Sequence, residues 1–405
     1  MVIGIDIRVL NSPVRSGIEE YTENLLAHML PLDKTIKYKL FTSSFRDIKY
    51  TQNWLSLPNT EVHKFKYSNK LLFLSANFNI PYVDKLIGGA DIFFSPHFFL
   101  TPLSSGCKRA TTFHDLSYLH FPEFFSWRKR VWHNLEMRPK WQARFSDKII
   151  AVSESTKNDL TNLYNIDPAK IEVIYSGISL SMREFSSEER NLFRKVNKLP
   201  KDFILFMGKL EPRKNVVSLI KAFDIIKRNE GLGFQAKDIS SRFKNTNTDF
   251  KDTHLIIVGS RGWLDNDIFK AAELSPNKHK IIFKDHIDDN LRAGYYNCAS
   301  VFVYPSFFEG FGFPPLEAMA CGTPTIVSAN SSLPEVARGA SILINPADTR
   351  ELAIAMTSIL IAQSRQPLIS QSQSLRNSIV YEGLNNSKLF NWNKTAEETL
   401  SYLLK

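Results

Sequence analysis

The sequence predicts an α/β protein made of two doubly wound, Rossmann-like domains. Short β-branched or aromatic runs alternate along the chain with longer segments of helical period, the signature of a parallel sheet covered by helices. The 405 residues, 43% of them hydrophobic, suffice for two domains, each with a core that needs no disulfides. A polar, charged, strand-poor stretch at 181–199 (SMREFSSEERNLFRKVNKL) divides the alternation into halves and reads as the linker between them.

In the N-terminal half, residues 1–180, strands are expected at 3–9, 38–42, 91–95, 110–114, 148–152 and 171–174. The C-terminal half, residues 200–385, offers strands at 203–207, 254–258, 280–283, 300–303, 324–328 and 341–344. Between them, 17–30 and 216–228 carry apolar residues near i, i+3, i+4 and i+7, so each helix turns one stripe toward a sheet. Residues 231–253 (GLGFQAKDISSRFKNTNTDFKDT) interrupt a helix-to-strand connection where about two to six residues are usual, and read as an insertion loop. The last segment, 386–405, contains FNWNKTAEETLSYLLK, a helix with Asn393 as N-cap and one apolar face.

Charge and targeting signals narrow the function classes. Fifty-one Lys and Arg against 41 Asp and Glu leave a formal charge of +10, which suits nucleic acid, an anionic membrane or a phosphorylated substrate. Half of it lies in 124–150, where Arg128, Lys129, Arg130, Arg138, Lys140, Arg144 and Lys148 outnumber Glu136 and Asp147, with Trp127, Trp132 and Trp141 interleaved. No helix-turn-helix, zinc-finger or RNA-binding sheet signature accompanies the charge, so a nucleic-acid binder is the weaker alternative. No apolar run of about 18 residues is present to span a bilayer. The N-terminus enters the strand-like run VIGIDIRVL without a signal-peptide pattern, and a cytoplasmic location is expected. Cys107, Cys298 and Cys321 fit neither a disulfide framework nor a tetrahedral zinc site.

The motif richest in chemistry is PSFFEGFGFPPLEAMACGTPTIVS at 305–328. A strand ends at Pro305, a loop with Gly310, Phe311 and Gly312 follows, and Pro314 and Pro315 open a helix. Glycines let backbone N–H groups approach a ligand, and a helix N-terminus adds partial positive charge, so the loop suits a diphosphate. Glu309 and Glu317 would repel phosphate but can accept from sugar hydroxyls, on the hexose and the ribose respectively; the alternative is acids that complement the helix dipole. A second motif, FILFMGKLEPRKNV at 203–216, brings Lys209, Arg213 and Lys214 to the carboxyl end of one strand, where three cations could neutralise a diphosphate leaving group. A solvated basic turn is the plainer reading.

The first of these strings resembles the Glu-x7-Glu region of retaining GT-B-fold glycosyltransferases of family 4, the glycosyltransferase group 1. The second resembles the same family's Gly-Arg/Thr-Leu…Arg-Lys-Asn signature, in which a basic residue and a lysine bind the donor phosphates; this carries over to Arg213 and Lys214. Lys209 stands where many members have arginine, keeping the charge but losing the bidentate fork. Three more stretches resemble the family. LNSPVRSGIEEYTENLL places Gly17 in its first glycine-containing loop, beside donor phosphates and acceptor, with no G-x-G-x-x-G dinucleotide fingerprint. RATTFHDLSYLHFPEFF places His114 and Asp115 at a strand end, where the family's histidine contacts the reacting sugar. In AVSESTKNDL, Ser153 serves equally as a helix N-cap or as a group facing the acceptor. IVGSRGW, KDHIDDNLRAGYYNCASVFVYPS and LPEVARGASILINPADTRELA extend the likeness over most of the chain, the turn at His286 and Ile287 corresponding to where the nucleotide base rests.

The resemblance implies a GT-B fold: two Rossmann-like domains facing each other across a cleft, with the C-terminal helix crossing back to the first. It implies metal-independent transfer of a hexose from a nucleotide-sugar co-substrate, with His114, Arg213, Lys214 and Glu309 as the catalytic group and no resident cofactor. Asp265-Asn266-Asp267 spells the Asp-x-Asp that holds a metal in GT-A enzymes, yet it lies far in sequence from the phosphate cations and relatives need no metal. Among such enzymes the motifs resemble mannosyltransferases of bacterial surface polysaccharide assembly, such as lipopolysaccharide O-antigen. That points to GDP-mannose as donor and a glycan or polyprenyl-diphosphate-linked oligosaccharide as acceptor. UDP-hexose-dependent glucosyl, galactosyl or N-acetylglucosaminyl transfer, and nucleotide-sugar 2-epimerisation, are the enzymic alternatives. For the basic segment, Trp127, Val131 and Leu135 recur every four residues beside Arg128, Lys129 and Arg130, as on interfacial helices at the cytoplasmic face of an inner membrane. A helix packed on its own domain is the other reading, and Pro139 argues against one unbroken helix.

Overall fold

A computed structural model of the chain describes residues 1–12, 17–45, 50–67, 72, 81–132, 137–228, 250–363 and 370–405. Contacts divide it into two compact units, Met1–Gly177 with Phe390–Lys405, and Ile178–Leu389.

The first unit is built on a seven-stranded sheet, all parallel: β1 (Val2–Asp6), β2 (Lys37–Ser43), β3 (Thr60–Phe65), β4 (Ile92–Ser95), β5 (Lys108–Phe113), β6 (Lys148–Ala151) and β7 (Ile171–Val173), in the order β3-β2-β1-β4-β5-β6-β7. Ile3 and Ile5 on β1, Tyr38 and Leu40 on β2, and Phe93 and Phe94 on β4 are fully or almost fully buried, as expected of a parallel sheet covered on both faces. Strand order reverses between β1 and β4, which makes their carboxyl ends the switch point of this unit. The helix Gly17–Met29 buries Tyr21, Leu25, Leu26 and Met29 and packs beside the C-terminal helix Trp392–Leu404. A Cβ on Gly177 would lie 2.3 Å from the backbone nitrogen of Trp392, so the chain leaves this unit at a position where only glycine fits.

The structure adds one strand and corrects two expectations. The edge strand β3 was not anticipated, because TEVHKF is a polar sequence in which Thr60, Val62, His63 and Phe65 are only half-buried and Glu61 and Lys64 are exposed; its Lys and Glu suit an edge that must resist further pairing. The N-cap of the last helix is Asn391, whose side chain accepts from the Lys394 N–H; Asn393 already lies in the first turn. The stretch read as a linker contains the helix Ser187–Val196, opened by a capping box in which Ser186 Oγ accepts from Glu189 N and the Glu189 carboxylate accepts from Ser186 N. Phe193 of this helix packs edge-on against Tyr295 at 5.7 Å, so the segment is part of the second unit, and the chain crosses between units at Gly177 and again at Leu389.

The second unit carries six parallel strands: β8 (Phe203–Met207), β9 (His254–Val258), β10 (Ile281–Lys284), β11 (Val301–Tyr304), β12 (Thr325–Ser328) and β13 (Ile342–Ile344), in the order β10-β9-β8-β11-β12-β13. The helix Val216–Arg228 follows β8 and buries Leu219, Ile220, Phe223 and Ile226. The helix Ser370–Ser387 continues past the expected end of this domain at 385. Of the insertion at 231–253, all but 250–253 lies outside the described residues; Lys227 Nζ donates to the carbonyls of Phe250 at 2.5 Å and Lys251 at 2.7 Å where the chain re-enters β9.

Candidate functional site

In the second unit the order reverses between β8 and β11, and the two strongest motifs leave the carboxyl ends of those two strands. After β8, Pro212–Lys214 form one turn of 3-10 helix, and Asn215 adopts a left-handed backbone at φ 56 that asparagine tolerates better than most residues. Its side chain donates to the carbonyls of Pro305 at 3.1 Å and Pro346 at 2.7 Å, tying the β8 turn to the loop after β11. Phe307 N donates to Arg213 O at 2.8 Å across the same junction.

This clip brings four charges together. Lys214 Nζ donates to Glu309 Oε1 at 2.7 Å and to Tyr304 Oη at 2.6 Å. Arg213 Nη1 reaches Phe308 O at 2.6 Å and Glu309 Oε2 at 3.3 Å, while its Nε and Nη2 both donate to Glu211 Oε1, at 3.1 and 2.9 Å. Glu211, Lys214 and Glu309 are buried. Burial pushes the Lys214 amine below its usual range, opposed chiefly by Glu309. Burial would raise Glu309, but Arg213 and then Lys214 outweigh it and hold the carboxyl below the usual range. Tyr304 is pushed well up by burial and stays a phenol. Two cations are thus held ready by two carboxylates, an arrangement in which a diphosphate can replace carboxylate oxygens as the anionic partner.

The loop carrying Glu309 is fixed from behind. Glu309 N donates to Ser331 Oγ at 2.9 Å, and Ser332 Oγ donates to the carbonyls of Glu309 and Phe311 at 3.0 and 2.8 Å. Gly310 and Phe311 are buried, and Gly312 takes φ 108, a backbone that favours glycine, as N-cap of the helix Phe313–Ala320. Glu317, on that helix, is 1% exposed: Oε2 accepts from Tyr296 Oη at 2.7 Å and Oε1 is paired with Arg292.

Other expected residues lie elsewhere. Lys209 is exposed, its Nζ 5.3 Å from the centre of the Trp263 ring. His286 and Ile287 sit in the turn between β10 and the helix Asp289–Cys298, the first exposed and the second half-buried. Asp265 of the Asp-x-Asp is buried against Arg261, at 2.8 and 3.0 Å, while Asp267 is exposed. Among the described residues no group of three His, Cys, Asp or Glu is placed to hold a metal.

In the first unit, His114 follows β5, and its Nε2 lies 2.8 Å from Pro96 O, so that nitrogen carries the proton and Nδ1 is the acceptor. Tyr21 packs edge-on against its ring at 4.8 Å, His97 lies 5.7 Å away, and burial lowers its pKa below the ordinary histidine value. Gly17 is the first residue of its helix rather than part of the loop. Ser153 is fully buried and N-caps the helix Glu154–Tyr164 through Thr156 N; the cap is the role its geometry shows. The basic segment is broken as Pro139 required: a five-residue helix Trp127–Val131 and a separate helix Pro139–Phe145. Trp127 is 66% and Val131 44% exposed beside Arg128, Lys129 and Arg130, whereas Leu135 lies outside the described residues. Trp141 packs on Phe145 at 4.6 Å and beneath Arg109, so it belongs to the fold.

Sequence reasoning missed Glu211, Tyr304, Tyr296, Arg292, Ser331 and Ser332. Glu211 had a readable signal, a carboxylate two residues before Arg213 in the same charged turn. The others are joined to the site only by packing between distant segments.

Two parallel-sheet units, one with paired cations and carboxylates at its switch point, define a GT-B-type α/β protein. A sucrose-phosphate synthase from Thermosynechococcus elongatus superposes with a TM-score of 0.72 over 99% of this chain and 98% of that one, at 18% identity. Anabaena HepE in complex with UDP-glucose gives 0.66 over 99% of both, at 17% identity. Residues 188–375 match the family model of glycosyl transferases group 1 and residues 15–182 that of glycosyltransferase family 4. The chain therefore belongs to the family 4, group 1 glycosyltransferases of GT-B fold. Among its relatives, the O-antigen chain mannosyltransferase B of Escherichia coli is 26% identical over 76% of this chain and 73% of its own length. The serotype-specific mannosyltransferase WbdA of Escherichia coli is 28% identical over 53% of this chain, which spans only 24% of that longer protein. Among the described residues no helix is long and apolar enough to cross a membrane.

Proposed function

We propose that the protein is a retaining, metal-independent mannosyltransferase that moves mannose from GDP-mannose to a glycan or polyprenyl-diphosphate-linked oligosaccharide during surface polysaccharide assembly. The observation that carries the reading is the Lys214–Glu309–Arg213 cluster at the β8/β11 switch point: paired cations where a leaving diphosphate needs them, beside a carboxylate able to accept from a hexose hydroxyl. The O-antigen mannosyltransferase relative supports the sugar and the pathway, and the UDP-glucose complex of a structural neighbour supports a nucleotide-sugar donor.

In this mechanism the acceptor hydroxyl adds to the anomeric carbon on the face from which the diphosphate leaves. The anomeric carbon–oxygen bond breaks, and the hydroxyl proton passes to a donor phosphate oxygen. The enzyme supplies no nucleophile. Arg213, Lys214 and the backbone N–H groups of the Gly310–Gly312 turn stabilise the departing charge, and Glu309 orients the hexose. Glu317 holds the ribose, while His286 and Ile287 lie against the base. His114 contacts the reacting sugar, and Gly17 and Lys209 flank the phosphates. Exposed Trp127 and Val131, with Arg128, Lys129 and Arg130, dock on the anionic cytoplasmic face of the inner membrane where such an acceptor resides.

A thermal-shift panel of GDP, UDP, ADP and their sugars, run with EDTA, tests the reading. GDP and GDP-mannose should raise the melting temperature most, and EDTA should leave the shift intact. A larger shift with UDP and UDP-hexoses would move the donor to that class, and loss of the shift in EDTA would overturn metal independence.

A further inference from the structure

Glu317 presents a problem to a ribose. At 1% exposure both its oxygens are engaged, Oε2 by Tyr296 Oη at 2.7 Å and Oε1 by Arg292 Nη2. Arg292 and Tyr296 are four residues apart on the helix Asp289–Cys298, so they share a face and grip one carboxylate on the helix Phe313–Ala320. The two grips differ in access. Tyr296 is fully buried, whereas the Arg292 side chain is 14% exposed and its Nη1 lies 3.5 Å from the half-exposed carboxylate of Asp289. A ligand approaching Glu317 from solvent therefore meets the guanidinium first.

We infer that Arg292 is a specificity-determining residue, and that the Arg292–Glu317 pair, rather than Glu317 alone, recognises the vicinal diol of the nucleotide ribose. This rests on the ribose assignment made above and deepens it. A hydroxyl is at once donor and acceptor. A carboxylate by itself serves only the donor half of each hydroxyl, while a guanidinium–carboxylate pair serves both: each ribose hydroxyl donates to a free lone pair of Glu317 and accepts from an Arg292 N–H. The planar fork can keep one nitrogen on Glu317 and turn the other from Asp289 to the sugar. Asp289 thus marks the resting position of the fork, and Tyr296 fixes the carboxylate plane from the buried side. An Arg292 that only held Glu317 in place could be replaced by lysine, which keeps one ion pair with the carboxylate, without loss of ribose preference.

The test is the ratio of dissociation constants for 2′-deoxy-GDP and GDP, and for the corresponding UDP pair, by calorimetry on the full chain, with melting temperature as the check on folding. The wild type should prefer the ribonucleotide by roughly 10–100-fold, the range for losing hydrogen bonds to charged partners. Arg292→Gln should bring the ratio down close to that of Glu317→Gln, near one. Arg292→Lys, which keeps the charge but cannot span two partners, should fall between and serves if the glutamine variant does not fold. An unchanged ratio in a folded Arg292 variant, with the ratio lost in Glu317→Gln, overturns the role of Arg292 and leaves the ribose assignment standing. A wild-type ratio near one overturns that assignment and this inference together.

Discussion

The two units place a buried Asp/Glu–Arg pair beside the same topological feature, and the pairs differ in what they can exchange. At the first switch point, Asp6 at the end of β1 grips Arg8 through three nitrogens, at 3.0, 3.0 and 2.6 Å, with side chains only 1% and 2% exposed. Arg8 Nη2 also donates to Thr101 Oγ at 2.7 Å, and its guanidinium lies over the rings of Phe41 and Phe99. That pair is closed on itself and ties the end of β1 to the segment after β4. At the second switch point, Arg213 is 13% and Lys214 9% exposed, and their carboxylate partners sit on two different loops. The proposed ligand site differs in that one carboxylate, Glu309, comes from a separately anchored segment and one edge of the cluster is open. Sealed within one strand end, the same chemistry is scaffold.

The largest effect should come from the open pair. Lys214→Ala is expected to lower turnover by about 10²–10⁴-fold, the range for removing a preorganised charge from a leaving group, in a chain that still folds because Glu309 keeps Arg213 as a cation partner. Near-normal turnover would remove the leaving-group role and reduce the contrast between the two switch points to one of burial alone. Next comes the closed pair. Arg8→Met leaves Asp6 buried without its cation and should destabilise the first unit by about 3–5 kcal/mol, with GDP affinity in the second unit unchanged. Urea unfolding followed alongside calorimetric GDP binding reads both numbers. A loss of affinity with little loss of stability would show that Arg8 belongs to the donor site after all.

Much of this contrast was legible in the residues. All six expected strands of the second unit are present, because a parallel sheet buried on both faces writes nearly continuous apolar runs such as Phe203–Met207 and His254–Val258. The charged turn 209–214 and the loop 309–312 were likewise visible, since glycine, proline and clustered cations stand out in sequence, and the structure brings the two together. What escaped notice obeys a different logic. β3 is an edge strand whose polar, half-buried sequence imitates a loop, and the helix Ser187–Val196 is polar enough to imitate a linker, although Ser186 and Glu189 carried its capping box. The partners of the site residues were invisible for a third reason. Tyr304 meets Lys214 across 90 residues, and Arg292 meets Glu317 across 25, through packing that no local pattern encodes. The Asp6–Arg8 pair lay in plain view two residues apart, but only the burial of both side chains separates a scaffold pair from a solvated one.

The smallest effect tests whether the first switch point is scaffold throughout. His114 directly follows β5, the strand next to β4, and its pKa is lowered mainly by burial, while hydrogen bonding to Pro96 O and the charge of Asp115 pull the other way. With a folded pKa below that of the unfolded chain, the unfolded state binds the proton first as pH falls. Stability is therefore full above the unfolded value of about 6.5 and declines below it, by at most about 1.4 kcal/mol per pH unit, levelling off once pH passes the folded pKa. His114→Gln removes this term, so its stability should fall less steeply than that of the wild type between pH 6.5 and 5. Hydrogen exchange of the β5 amides across that range isolates the first unit from the second, where a single unfolding midpoint would mix them. Parallel pH profiles for the two proteins would mean that the histidine is protonated as readily folded as unfolded. Its surroundings would then be open to water and charge, and the first switch point would have an exchangeable group of its own.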